Sequence, residues 1–147
     1  MIYYRVARDN DIPRLVEILE ELFSMESEFS SDHLKQRVAL EQIVNTTLGD
    51  IYVCLLDTKI VAMVNILYTI STTLGGQVAI LEDMIVDKEY RGQGIGRSLV
   101  EFTLAQLKVK KIQRVTLLSD KTNTKAHNFY EQQGFIHSTM TPFRKIL

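Results

Sequence analysis

Apolar positions recur along this chain with two different periods, and the places where the period changes mark its elements. "IYYRVAR" (Ile2 to Arg8) suits a first strand. In "DIPRLVEILEELF", Ile12, Leu15, Leu19, Leu22 and Phe23 follow helical spacing, with Asp11 expected as cap and Pro13 in the first turn. Ser31 or Asp32 is expected to cap a second helix carrying Leu34, Val38 and Ile43, which ends before Gly49. "IYVCLLD", "KIVAMVNILYTI" and "VAILEDMIVD" then read as three consecutive strands whose short turns favour antiparallel pairing. The stretch from Ile60 to Leu81 has no charge and is long enough to span a bilayer, but its middle, "TISTTLGGQ", is too polar. Gly75-Gly76 predicts a hairpin turn there instead.

A longer helix follows from about Gly96 to Lys110, with Ile95, Leu99, Val100 and Leu107 on a broad apolar face. "RVTLLSD" reads as a short strand, "NTKAHNFYEQQG" as a helix stopped by Gly134, and "FIHSTM" with "FRKIL" as one or two final strands. The predicted order is β-α-α-β-β-β-α-β-α-β(-β) in one domain over 1–147. Its fold class is α/β of mixed α+β character, a mostly antiparallel sheet of six to seven strands flanked by about four helices. The strand–helix–strand unit around the glycines after Val86 is expected to be a parallel crossover, which makes the sheet mixed.

Composition narrows the function. The chain has 147 residues, 46% of them hydrophobic and 24% charged, as suits a globular domain with a core. Seventeen Lys and Arg against 18 Asp and Glu leave a net charge of -1, so no global field draws the protein to nucleic acid or anionic lipid. Neither is expected as a partner. The first residues lack the apolar run of a secretory signal, and the single Cys54 cannot form an internal disulfide, so a cytoplasmic location is expected. Cys54 reads as core. His33, His127 and His137 are scattered without metal-ligand spacing, and no metal is expected.

The segment "VDKEYRGQGIGRSLVEF" places Gly92, Gly94 and Gly96 between a strand and a helix. Such a turn presents backbone N–H groups at the positive end of the helix dipole with no side chains in the way, which suits a phosphate. Arg91 and Arg97 flank it and offer charge-assisted bonds. A dinucleotide fingerprint is excluded because its third glycine position falls on Ile95 or Arg97, and a P-loop is excluded because no Gly-Lys-Ser/Thr follows. A tight structural turn remains the other reading.

The spacing Arg91-x-x-Gly94-x-Gly96, after a strand ending in an apolar-x-Val pattern, resembles the acetyl-CoA pyrophosphate loop of the GNAT superfamily of N-acetyltransferases. "NTKAHNFYEQQGF" looks like that family's second signature, here Asn123, Ala126, Tyr130, Gly134 and Phe135. The resemblance implies a GNAT-like fold and transfer of an acetyl group from acetyl-CoA, as cosubstrate, directly to a primary amine. It implies that Gly92, Gln93, Gly94, Ile95, Gly96 and Arg97, with Arg91, hold the pyrophosphate. Met84, Ile85 and Val86 would offer backbone groups to the pantetheine arm, and Asn123 its amide to the cofactor. Phe129 is expected beside the pantetheine or in the core.

An amine of pKa near 10 is protonated about 99.9% of the time at pH 7, so the implied reaction needs a base, and the departing thiolate needs a proton. By the match, Glu82 is the expected base, drawing the amine proton through water, and Tyr130 the expected acid. Strict alternation would send Glu82 to one face with Ile80 and Met84, and Asp83 to the other with Leu81 and Ile85. Asp83 is given a substrate-contact role at most, against the plainer reading of a paired structural carboxylate.

Glu17, Glu20 and Glu21 read as the solvated side of the first helix. Glu26, Glu28 and Asp32 lie in the connection that borders the acceptor pocket in the family, where an acidic lip would favour a cationic amine. A small amine, polyamine or amino-acid-like acceptor is favoured, with protein N-termini and lysines as alternatives. A further alternative is an acyl-CoA-binding regulatory or sensory protein without turnover. A homodimer is also expected from the habits of the family.

Overall fold

The computed structural model of the chain describes residues 1–25 and 32–147. Five strands and four helices form over these residues: β1 Ile2–Val6, α1 Ile12–Met25, α2 His33–Val44, β2 Gly49–Leu56, β3 Lys59–Ser71, β4 Gly76–Val86, α3 Ile95–Val109, β5 Val115–Leu117 and α4 Thr124–Gln132. The sheet runs in the order β1-β2-β3-β4-β5. Its first four strands are antiparallel neighbours: short turns join β2 to β3 and β3 to β4, while α1 and α2 lie between β1 and β2. β4 and β5 are parallel, because α3 carries the chain back between them.

Sequence pattern explains how the layers cover the sheet. Leu15, Ile18 and Leu19 of α1 and Leu40 and Ile43 of α2 pack with Ile51, Val53, Met63 and Ile85 on one side. Ile95, Leu99 and Leu107 of α3 pack with Val61, Ala62, Val64, Ile66 and Leu81 on the other. β2 and β3 are buried on both faces, which is why they read as nearly continuous apolar runs. Asp32 caps α2, accepting from the Lys35 N–H at 3.2 Å. Asp11 does not cap α1. It lies in a 3₁₀ turn and takes a two-bond ion pair from Arg5, at 2.7 and 3.1 Å.

The strand count departs from expectation. "RVTLLSD" forms a strand over Val115–Leu117 alone, since its pairing with β4 ends at Leu81↔Leu117. "FIHSTM" and "FRKIL" form no strand. A strand needs a neighbour for its backbone groups, and β5 offers this segment only three residues of edge, while Pro142 lacks an N–H to pair. The sheet is therefore five-stranded rather than six- or seven-stranded. No helix among the described residues is long and apolar enough to cross a membrane.

Candidate functional site

The centre of the site is a slip in β4. Asn65 pairs with Asp83 and Ile66 pairs with Leu81, so Glu82 is an extra residue in the ladder, a β-bulge. The slip reverses the alternation beyond it. Leu81 and Met84 both pack in the α3-side cluster, and Ile85 packs on the opposite side. Glu82 and Asp83, expected on opposite faces, consequently lie on the same side of β4. β5 also stops pairing at Leu81 while β4 continues to Val86, so the strand from Glu82 onward has no partner on that edge. Alternate backbone groups there face the opening.

Asp83 is partly buried, and the Asn65 Nδ2 donates to its Oδ2 at 3.1 Å. Burial pushes its carboxyl above the ordinary range, the Asn65 bond opposes this, and the charge of Glu82 adds to it. Glu82 itself is exposed. Tyr130, on α4, packs against the α3-side cluster. Burial, and then the charge of Asp83, push its phenol up to about 12, so the hydroxyl stays protonated across the physiological range. Its ring stands edge-on to Phe129 at 5.2 Å and to Phe135 at 5.6 Å.

The glycine loop continues from β4. Gly92 and Gly94 take the left-handed conformation, at φ +77° and +80°, and a Cβ at either would meet open space. Gly94 is the N-cap of α3, and the first N–H returned to the helix is that of Ser98, to the Gly94 carbonyl at 3.1 Å. The N–H groups of Ile95, Gly96 and Arg97 therefore have no partner within the helix. Gly96 answers a packing need instead: a Cβ would come within 2.9 Å of Met84 Cε, 3.3 Å of Val86 Cγ2 and 3.7 Å of Phe129 Cζ. That contact set gathers Met84, Val86, Gly96 and Phe129 at one place. The fold thus joins an unpaired strand edge to a helix N-terminus with an open approach.

Three expected contacts have additional roles. Asn123 caps α4, its Oδ1 accepting from the Ala126 N–H at 3.0 Å. The Arg97 Nε donates to Glu101 along α3 at 2.9 Å. Arg91 donates from Nε to the Val86 carbonyl at 2.9 Å and from a terminal nitrogen to Glu21 at 3.1 Å. Glu21 also accepts from the Lys88 N–H at 3.2 Å, so this residue of α1 tethers the loop rather than standing in solvent. Nearby, Arg14 holds the buried Asp87 at the end of β4 and donates to the Ile60 carbonyl at 3.0 Å. Gln93 is exposed on the loop.

Glu26 and Glu28 lie outside the described residues. Asp32 serves as the α2 cap described above, and Glu20 pairs with His33 at 3.3 Å. No group of three or more metal-ligating side chains occurs among the described residues. Sequence reading missed Asn65 and Glu21. An asparagine inside the apolar run "KIVAMVNILYTI" was a usable signal, since a buried amide needs a partner; Glu21 carried none.

The site is thus an open mixed sheet with a bulge in β4, an edge of β4 left unpaired beyond Leu81, and a glycine-rich start to α3. Residues 12–135 match the model of the Acetyltransferase (GNAT) family, and the chain belongs to that family. Over 64 residues it is 41% identical to N-alpha-acetyltransferase 30 of Schizosaccharomyces pombe, a match covering 44% of this chain and 41% of that protein. It is 42% identical over 55 residues to the mycothiol acetyltransferase of Thermobispora bispora, covering 37% of this chain and 19% of that protein. The chain thus spans under half the length of these curated relatives. A possible acetyltransferase from Clostridium difficile 630 superposes with a TM-score of 0.91 at 21% identity, over 100% of this chain and 98% of that one. That likeness establishes the fold alone.

Proposed function

We propose that the protein is an acetyl-CoA-dependent N-acetyltransferase acting on a primary amine. The observation that carries this reading is the continuity between the open β4 edge and the start of α3, where Gly92 and Gly94 leave space and three N–H groups lack helical partners. Those features fit acetyl-CoA: Met84, Ile85 and Val86 would pair with its pantetheine arm, and Gly92 to Arg97, with Arg91, would hold its pyrophosphate. Asn123 and Phe129 would border the same groove. Bound there, acetyl-CoA supplies the acetyl thioester.

The chain's own residues then handle protons. Glu82, exposed beside the opening, takes the proton from the acceptor ammonium directly or through one water, freeing the lone pair that attacks. Tyr130 holds a proton for the departing sulfur. Asp83, on the same side as Glu82, keeps local charge low while it carries its proton, and favours a cationic acceptor when it does not. The acceptor class is a small amine, polyamine or amino-acid-like amine. Two relatives supply precedents of different size, an N-alpha-acetyltransferase and an aminoglycoside acetyltransferase. An acyl-CoA-binding protein without turnover is the competing class, and the presence of both Glu82 and Tyr130 favours the enzyme. Calorimetry with acetyl-CoA tests the groove: binding is expected, and its absence overturns this reading.

A further inference from the structure

Glu82 and Asp83 share their face of the sheet with a short uncharged strip. Leu67 and Ile80 pair across β3 and β4, and both lie on this face, since Ile66 and Leu81 beside them pack into the α3-side cluster. α1 and α2 cover the same face further along, at Met63 and Ile85, yet Ile80 is 37% exposed. Thr116 of β5 pairs with Ile80 from the other edge and is exposed as well. From Met63 to Ser71 and from Val78 to Ile85, Glu82 and Asp83 are the only charged residues, and β5 carries none. The two carboxylates are not equal. Asp83 is partly buried and accepts the 3.1 Å bond from Asn65, which is itself 5% exposed, and burial raises its carboxyl. Glu82 is exposed. The face therefore offers one ready anion, with a bare apolar side chain two positions back, about 7 Å along the strand.

We propose that the acceptor is a primary amine with a single positive charge and an apolar body, its ammonium at Glu82 and its body lying on Ile80 and Leu67. This rests on the acetyltransferase reading above and narrows it, setting polyamines aside. A second ammonium at the far end of a short diamine would come over Ile80, where it gives up water and meets no carboxylate. A methyl group in the same place gains by leaving water. Glu82 thus recognises the reacting end of the acceptor, and Ile80 sorts acceptors by what they carry beyond it.

Pentylamine and 1,4-diaminobutane test it, because they have the same length and differ only in a methyl or an ammonium at the far end. With saturating acetyl-CoA and thiol release as the readout, kcat/KM for pentylamine is expected to exceed that for 1,4-diaminobutane about tenfold or more, the range for a group that matches an apolar surface against one that does not. Ile80→Asp puts a carboxylate under the far end and is expected to reverse the order. Ile80→Thr, which keeps the β-branched shape, is expected to shrink the ratio several-fold. Circular dichroism and acetyl-CoA binding check that both variants are folded, and the ratio in the unchanged chain decides the matter without them. Equal or better use of 1,4-diaminobutane, or turnover confined to polycations such as spermidine, overturns the proposal and leaves the acetyltransferase reading standing. Acetyl-CoA left unconsumed with every amine overturns that reading, and this one with it.

Discussion

Asn65 and Asp83 face each other across β3 and β4 at the point where the register slips, joined by a 3.1 Å bond from the amide to the carboxylate. The bond opposes the effect of burial on Asp83 without cancelling it. A carboxyl raised in the folded state contributes stability below its unfolded value, near 3.9, and that contribution is lost as pH rises through the folded value. Asp83→Asn should therefore stabilise the protein at pH 7 by on the order of 1 kcal/mol, with the gain shrinking as pH falls toward 4. Chemical denaturation at the two pH values measures it. An Asn variant less stable at pH 7 would contradict the sign.

Tyr130→Phe removes the hydroxyl and keeps the ring contacts to Phe129 and Phe135. Turnover should fall about 100-fold, the range for loss of a general acid, while acetyl-CoA affinity stays within about twofold. Because the phenol titrates only near 12, the alkaline limb of the pH profile below pH 10 should be the same in both proteins. A limb that disappears in the variant would assign Tyr130 a different proton role.

Gly94 and Gly96 should fail in different ways. A side chain at Gly94 projects into open space on the approach to the helix N-terminus, so Gly94→Glu should abolish measurable acetyl-CoA binding. The strain of a positive φ should add a stability loss of about 1 kcal/mol. Gly96→Val instead drives atoms into Met84 and Val86, and should lower stability by about 1–3 kcal/mol. Binding titrations and melting curves on the pair separate the two. Equal effects in both assays would contradict this division.

Glu21 fixes the loop through the Lys88 N–H and the Arg91 guanidinium. Glu21→Ala should raise KM for acetyl-CoA several-fold and leave kcat nearly unchanged, since the contact acts on cofactor placement. Glu21→Gln, which can still accept both bonds, should recover part of the loss. A fall in kcat alone would place Glu21 elsewhere in the mechanism.

Most of this architecture was legible in residue order. Gly75 turned the hairpin with φ +71°, Asp32 capped its helix, and the apolar faces of α1 and α3 lie where their spacing put them. The glycine loop opens α3 as its pattern required. What sequence could not carry was anything set by a partner strand. The bulge at Glu82 exists only in relation to β3, and it overturned the face assignment of Glu82 and Asp83. Apolar content likewise predicted strands after Gly134, yet a strand forms only against an edge, and β5 is three residues long. Glu21 looked like any solvated helix carboxylate because its partners lie far along the chain.

Acetyl transfer from acetyl-CoA to an amine can be read in a thiol-release assay over a panel of amines. The panel should span polyamines, aminoglycosides, amino acids and short peptides with free N-termini, with products followed by mass spectrometry. Thiol release is expected to depend on at least one amine, to yield its N-acetyl product, and to drop at least tenfold in Glu82→Gln. Acetyl-CoA that binds but is not consumed with any amine would contradict it.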